Sequence, residues 1–178
     1  MKAFFRSAAL AASLIAAGSA AHATGVNYAR YLACSHAKLT TFNGTIVDAA
    51  VATPDLSTLV SLVKAAKLVD ALSAPGNLTV FAPTNSAFGK VPAPLLDLIG
   101  GDTQLLSDVL TYHVVAKPVD PRRSLIPTQA TSLQGQTVYL GYDKDGASVN
   151  QSVASCTGVK TNNGSVWIID SVLLPQFR

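Results

Sequence analysis

The chain has 178 residues, 49% of them apolar and 13% charged, with 13 Lys and Arg against 10 acids for a formal charge of +3. Low charge with abundant apolar side chains argues against disorder. The only adjacent basic pair, Arg122-Arg123, has no basic face or aromatic stacking motif around it, so nucleic acid is not expected as a partner.

Lys2 and Arg6 precede an uncharged run over residues 8–17, and Ala21-His22-Ala23 puts small residues at both recognition positions before Thr24. This is the layout of a secretory signal cleaved near Ala23, and it predicts a secreted or periplasmic protein. The run is too short for a bilayer, which takes roughly 20 apolar residues, and no later segment is long and apolar enough, so no membrane span is expected. Loss of residues 1–23 leaves 155 of the 178 residues, a size that suits one domain and a monomer, and lowers the formal charge from +3 to +1 as Lys2 and Arg6 leave. Two cysteines survive, Cys34 and Cys156, and an oxidising compartment favours pairing them. The competing reading is a lipid anchor, since Leu32-Ala33-Cys34 looks like the end of a lipidation box. Against it, the Cys lies well beyond the apolar run, and Tyr31 stands where an aliphatic residue is expected.

Residues 24–43 are polar and mixed without a sustained period and predict an extended lead-in carrying Cys34. Residues 45–52 form a compact apolar run. Thr53-Pro54-Asp55 then supplies a cap, a proline for the first helical turn and an acid at the positive helix end. Leu56, Leu59, Val60 and Val63 recur at helical spacing and predict an amphipathic helix continuing toward Leu72. Ala74-Pro75-Gly76-Asn77 breaks it, and Leu78-Thr79-Val80-Phe81-Ala82 reads as a buried strand stopped by Pro83-Thr84-Asn85. Residues 92–99 predict a short helix ended by Gly100-Gly101. Asp102 can cap another in which Leu105, Leu106, Val109 and Leu110 share one face, running into Tyr112-His113-Val114-Val115. Strand-like pieces follow at 130–133, 137–142, 147–149, 153–159 and 166–174, with turn chemistry at Gln134-Gly135, Asp143-Lys144-Asp145-Gly146 and Asn162-Asn163-Gly164. Helices packed on a mostly antiparallel sheet, an α+β arrangement, are expected.

The chain has no Gly-x-Ser-x-Gly elbow, no His-Glu-x-x-His, no phosphate-binding glycine loop and no Cys-x-x-Cys. After the signal only His36 and His113 remain, and there is no Glu, which leaves few groups for a zinc site or an acid/base pair. No enzyme activity, metal or cofactor is expected. Asp143-Lys144-Asp145-Gly146 begins like a calcium loop, but the twelfth position is Ala154 and strands flank it, so a hairpin turn is the better reading. His113 reads as a buried imidazole satisfied by backbone or hydroxyl partners. The functional alternative is that Tyr112 and His113 shape a surface recognised by a partner.

Residues 44–50, the segment Leu78 through Phe88, Leu110-Thr111-Tyr112-His113-Val114-Val115, and Asn163-Gly164 through Ile169-Asp170 to Pro175 resemble, in order and spacing, the fasciclin (FAS1) domain. The resemblance covers about residues 44–175, after a signal (1–23) and a lead-in (24–43). It implies a wedge of β-strands with a layer of helices. It also implies an adhesion or interaction module without catalysis, binding an extracellular protein or polysaccharide surface. The fold-defining residues carried over are Thr79, Phe81, Pro83, Thr84 and Asn85 in one box and Asp170 in the last. Trp167 stands where many members carry His, and no Asp is followed by Ile, so integrin binding of the animal type is not implied. Some fasciclin proteins carry carotenoids. The alternative ligand is thus an apolar small molecule such as a carotenoid or lipid, with Trp167, Tyr139 and Phe88 as candidates to line its groove.

Overall fold

The computed structural model describes residues 26–124, 126 and 128–177, and the predicted export signal, 1–23, lies outside the described residues. The lead-in is not extended. It contains helix α1 (Tyr28–Ser35), opened by Asn27, whose side chain accepts a hydrogen bond from the Arg30 amide at 3.0 Å. Only Tyr31 and Cys34 turn inward, too few positions for a period to show in the sequence. Strand β1 (Thr40–Thr41) follows.

The apolar run after Asn43 is helix α2 (Ile46–Val51), started by a capping box in which the Thr45 hydroxyl accepts from the Asp48 amide and the Asp48 carboxylate accepts from the Thr45 amide. The helix expected toward Leu72 is split. A 3-10 turn (Pro54–Leu56) leads into α3 (Ser57–Ala65), Lys67 adopts φ 56°, and α4 (Val69–Ser73) starts afresh. The Leu68 amide donates to the Val63 carbonyl and the Lys67 amide to that of Lys64, which is a Schellman ending built without the usual glycine. Strand β2 (Leu78–Pro83) and helices α5 (Asn85–Gly89), α6 (Ala93–Gly101) and α7 (Thr103–Tyr112) complete the first half. Gly100 and Gly101 fall inside α6 instead of ending it, and Asp102 caps α7 by accepting from the Gln104 and Leu105 amides at 2.8 and 3.1 Å.

The second half holds β3 (Val114–Val115), a 3-10 turn (Pro121–Arg123), β4 (Thr128–Thr131), β5 (Thr137–Tyr142), β6 (Ala147–Val149), β7 (Ser152–Thr161) and β8 (Gly164–Ile169). β4 begins two residues before its expected start. β8 ends at Ile169 and not at 174, because the chain beyond it leaves the sheet and the Leu173 amide bonds to the His113 ring.

The strands run in the order β3-β2-β8-β7-β6-β5-β4, with β1 also on β7. The β1/β7 and β2/β8 pairs are parallel and the others antiparallel. β7 belongs to two leaves: it pairs with β6 near its start and with β1 and β8 near its end, and its register shifts between Ala154 and Gly158. Such a bulge bends a sheet. Inside the resulting wedge, Phe81, Trp167 and Ile169 of one leaf meet Val138, Leu140 and Val149 of the other. The opposite face of β2 and β8, with Val80, Ala82 and Val166, is covered by the helices through Leu59, Val63, Leu106 and Leu110. The alternation along β2 divides its side chains between these two cores. An isolated bridge from Val115 to Ser132 ties the two ends of the strand path together.

Candidate functional site

His113 caps the C-terminal end of α7 and is buried, 2% exposed. Its Nε2 accepts from the Leu173 amide at 2.9 Å, which leaves the neutral ring's proton on Nδ1, 2.7 Å from the Val109 carbonyl. Burial drives its pKa down to about 4, against a smaller opposing pull from Val109. The backbone carbonyl of His113 also accepts from the Phe81 amide at 2.9 Å. His113 therefore pins α7, β2 and the C-terminal tail together from the interior and presents nothing to solvent.

Its neighbour Tyr112 points the other way. The ring is packed in the wedge, while the hydroxyl donates to the Thr137 carbonyl at 3.0 Å and accepts from Asn150 Nδ2 at 2.9 Å. Asn150 holds a left-handed turn at φ 52°, and it exchanges bonds with Tyr139: Tyr139 N donates to Asn150 Oδ1 at 2.9 Å, and Asn150 N donates to the Tyr139 carbonyl at 2.7 Å. Gln136 grips the tail in the same reciprocal way, donating to the Gln176 carbonyl and accepting from its amide, both at 2.8 Å. These residues wall an open groove of about 740 Å³, with Tyr139 and Gln151 on its exposed rim. No Lys, Arg, His or Asp among the described residues lines it.

The three aromatics offered for an apolar groove do not share one. Trp167 is buried in the wedge, its Nε1 donating to the Val119 carbonyl at 3.0 Å. Phe88 lies in the helix layer, and Tyr139 is 61% exposed. Trp167 fits because Gly158 faces it: a Cβ there would sit 2.8 Å from the indole.

A second cluster combines an expected pair with an unexpected residue. Cys34 and Cys156 form a disulfide across 122 residues, which settles their pairing against the lipid-anchor reading. Beside it lies Arg122, 3% exposed, read in the sequence only as half of a basic pair. Its Nε and Nη2 donate to the two Asp120 oxygens at 2.9 and 2.8 Å. Its Nη1 reaches the carbonyls of Cys34, Ala37 and Cys156, and its guanidinium lies 4.8 Å from the Trp167 ring centre. The Asp120 partner two residues upstream was the available signal. The Asp143–Gly146 turn is self-contained, with Asp143 Oδ1 accepting from the Asp145 amide at 2.8 Å and the Gly146 amide at 3.2 Å.

A family model described as the fasciclin domain matches residues 54–175. The chain belongs to the fasciclin family. Among fasciclin relatives it is similar to the immunogenic protein MPB70 of Mycobacterium bovis, 36% identical over 177 residues, covering 94% of this chain and 90% of that protein. It is 42% identical over 135 residues to the cell surface glycolipoprotein MPB83 of the same species, covering 73% of this chain, and spans only 60% of MPB83's length. Protein sll1483 of Synechocystis is 38% identical over 133 residues, with 74% of this chain and 73% of that protein covered. A FAS1 domain pair from the insect cell adhesion molecule fasciclin I is similar at 16% identity and a TM-score of 0.48, covering 67% of this chain and 45% of that one.

The residues expected from the family resemblance to define the fold sit at its joints. Thr79, Phe81 and Pro83 are buried along β2, and the Thr79 hydroxyl donates to the Lys117 carbonyl at 2.8 Å while accepting from the Val119 amide at 2.9 Å. Thr84 caps α5, accepting from the Ala87 amide at 3.2 Å. Asn85 acts at a distance: its Oδ1 accepts from the Thr58 amide at 2.9 Å and its Nδ2 donates to the Pro54 carbonyl at 3.1 Å, holding the entry to α3. Asp170 accepts from the Val153 amide at 2.9 Å and pairs with Lys90 at 3.1 Å. Burial raises its pKa, but the Val153 amide, Lys90 and Ser171 outweigh that and hold the carboxyl below its ordinary value.

Proposed function

We propose that the protein is an exported, non-catalytic interaction module, processed near Ala23, that binds a partner outside the cytoplasm through the groove beside Tyr112. The observation that carries this reading is the groove itself. Its walls are fixed by reciprocal hydrogen bonds among Tyr112, Tyr139, Asn150, Gln136 and the tail, while Tyr139 stays open to a partner. Preorganised walls lower the ordering cost of binding. In this reading Tyr112 serves the partner by fixing the groove wall through Thr137 and Asn150, and His113 only by holding α7 in place. Both ring nitrogens of His113 are already bonded to backbone, which supports a non-catalytic role. The disulfide and the surface or immunogenic nature of the named mycobacterial relatives support a location beyond the cytoplasmic membrane.

The apolar-ligand alternative draws less support. The enclosed space between α2–α4 and the sheet is about 30 Å³, whereas small-molecule pockets run to about 300–1,000 Å³. The test is binding of purified residues 24–178 to cell-envelope fractions and matrix, alongside adhesion of a deletion strain. Retention on a fraction and an adhesion defect are expected. Absence of both overturns the proposal.

A further inference from the structure

Building on that reading, we infer that the Tyr112 groove is a binding site for neutral, hydroxyl-rich saccharide. Three features of the groove specify this chemistry. First, an exposed aromatic face is available: along β5, Val138, Leu140 and Tyr142 turn into the wedge, which leaves Tyr139 outward and 61% exposed at the rim. An aromatic ring with an apolar body and a polar tip can lie against the C–H face of a pyranose and still offer its hydroxyl. Second, the polar groups are planar amides and hydroxyls. Gln151 and Gln176 side chains make no hydrogen bond among the described residues and so remain available. Asn150 and Gln136 each have one amide hydrogen left after gripping Tyr112 and the Gln176 backbone. Side-chain amides both donate and accept, as vicinal sugar hydroxyls do.

Third, the described residues give the groove no ionic partner. With no Lys, Arg, His or Asp among its lining residues, an entering carboxylate, sulfate or ammonium would lose water without gaining a counter-charge. That selects against uronic acids, sulfated chains and charged peptide segments, and leaves neutral sugars favoured. The groove of about 740 Å³ has room for a short stretch of rings, and its open form admits a chain passing through as well as a chain end. Leu174 adds an apolar wall from the tail that Gln136 anchors.

The experiment is titration calorimetry of residues 24–178 with neutral gluco-, manno- and galacto-oligosaccharides, and with uronate oligomers and a sulfated oligosaccharide. Neutral oligosaccharides are expected to bind at least 10-fold more tightly than the charged ones. Tyr139→Ala and Gln151→Asp should each weaken that binding 10-fold or more with an unchanged unfolding midpoint. Leu98→Ala, on the exposed face of α6, should leave it unchanged. Equal or tighter binding of charged oligomers, or undiminished binding by Tyr139→Ala, overturns the inference. In parallel, envelope fractions are oxidised with periodate, which destroys vicinal diols, or digested with proteinase. Loss of binding after periodate is expected, and proteinase then separates a glycoprotein's sugar from a free polysaccharide. Binding that survives periodate and is lost to proteinase overturns the saccharide inference while leaving the interaction module intact. No retention on untreated fractions together with normal adhesion of the deletion strain overturns both.

Discussion

Arg122 joins parts of the chain that share nothing in sequence: the Asp120 carboxylate, three backbone carbonyls from the disulfide-linked segments, and the face of Trp167. Removing it would leave Asp120 only the residue-122 backbone amide and the more distant Arg123 and would strip those carbonyls of a charged donor, so Arg122→Met is expected to lower the unfolding free energy by about 1–3 kcal/mol, read from urea melts. Lys keeps the charge but not the planar fork, and Arg122→Lys should fall between the two. His113 makes stability depend on pH. Its folded pKa, about 4, lies below its ordinary 6.5, so the unfolded chain binds the proton first as pH falls. The stabilisation is therefore present above pH 6.5 and is lost as pH drops toward 4, on the order of 3 kcal/mol in all. A His113→Gln variant that folds should show no such slope between pH 7 and 4 in denaturant titrations. At this scale the sequence disclosed what is local. The buried, partnered imidazole and the strand role of Thr79 and Phe81 could be read from their neighbours. Arg122 could not, because its burial arises from residues 34, 37, 156 and 167 meeting in space.

Elements were most legible where their ends are coded by side chains next to them. Asp102 before α7 and the turn residues around β5 and β6 carry their own signals, and those boundaries match. The break between α3 and α4 carries none, since Lys67 adopts its left-handed conformation without Gly or Asn chemistry inside an unbroken apolar period. Helix α1 was hidden for the opposite reason: it is only 8 residues long and buries too little to show a stripe. The β7–β8 turn supplies a sharper case. Gly164 has φ 158°, and a Cβ there would lie 2.0 Å from the Leu78 carbonyl oxygen, on the strand it pairs with. Gly164→Ala should therefore cost about 1–3 kcal/mol in strain alone, with β2 forced away from β8, seen as a lowered thermal midpoint and lost amide protection along Leu78–Pro83. Asn163 beside it is no free turn residue. Its side chain accepts from the Ile46 amide at 2.9 Å and donates to the Leu72 and Ala74 carbonyls at 2.8 and 3.0 Å, fixing α2 and α4 to the sheet.

On the scale of the whole molecule, the disulfide closes a loop of 122 residues, long enough that its loss should remove up to about 4–5 kcal/mol. The measurement is the urea midpoint of the Cys34→Ser/Cys156→Ser protein against the oxidised parent. The α+β class and the fasciclin family were legible in the sequence. The groove was not, because Tyr112, Tyr139, Asn150 and Gln176 come from four separate segments and none is unusual alone. One further property follows from where β8 lies. Strand β8, which follows all the others in sequence, is inserted between β2 and β7, in the interior of the path. Until Gly164–Ile169 is available, β2 lacks its parallel neighbour and the wedge lacks Trp167 and Ile169. Contacts so distant in sequence form late, since a long loop must close before they contribute. A sheet whose interior strand comes this far along the chain stays open until that strand has been made.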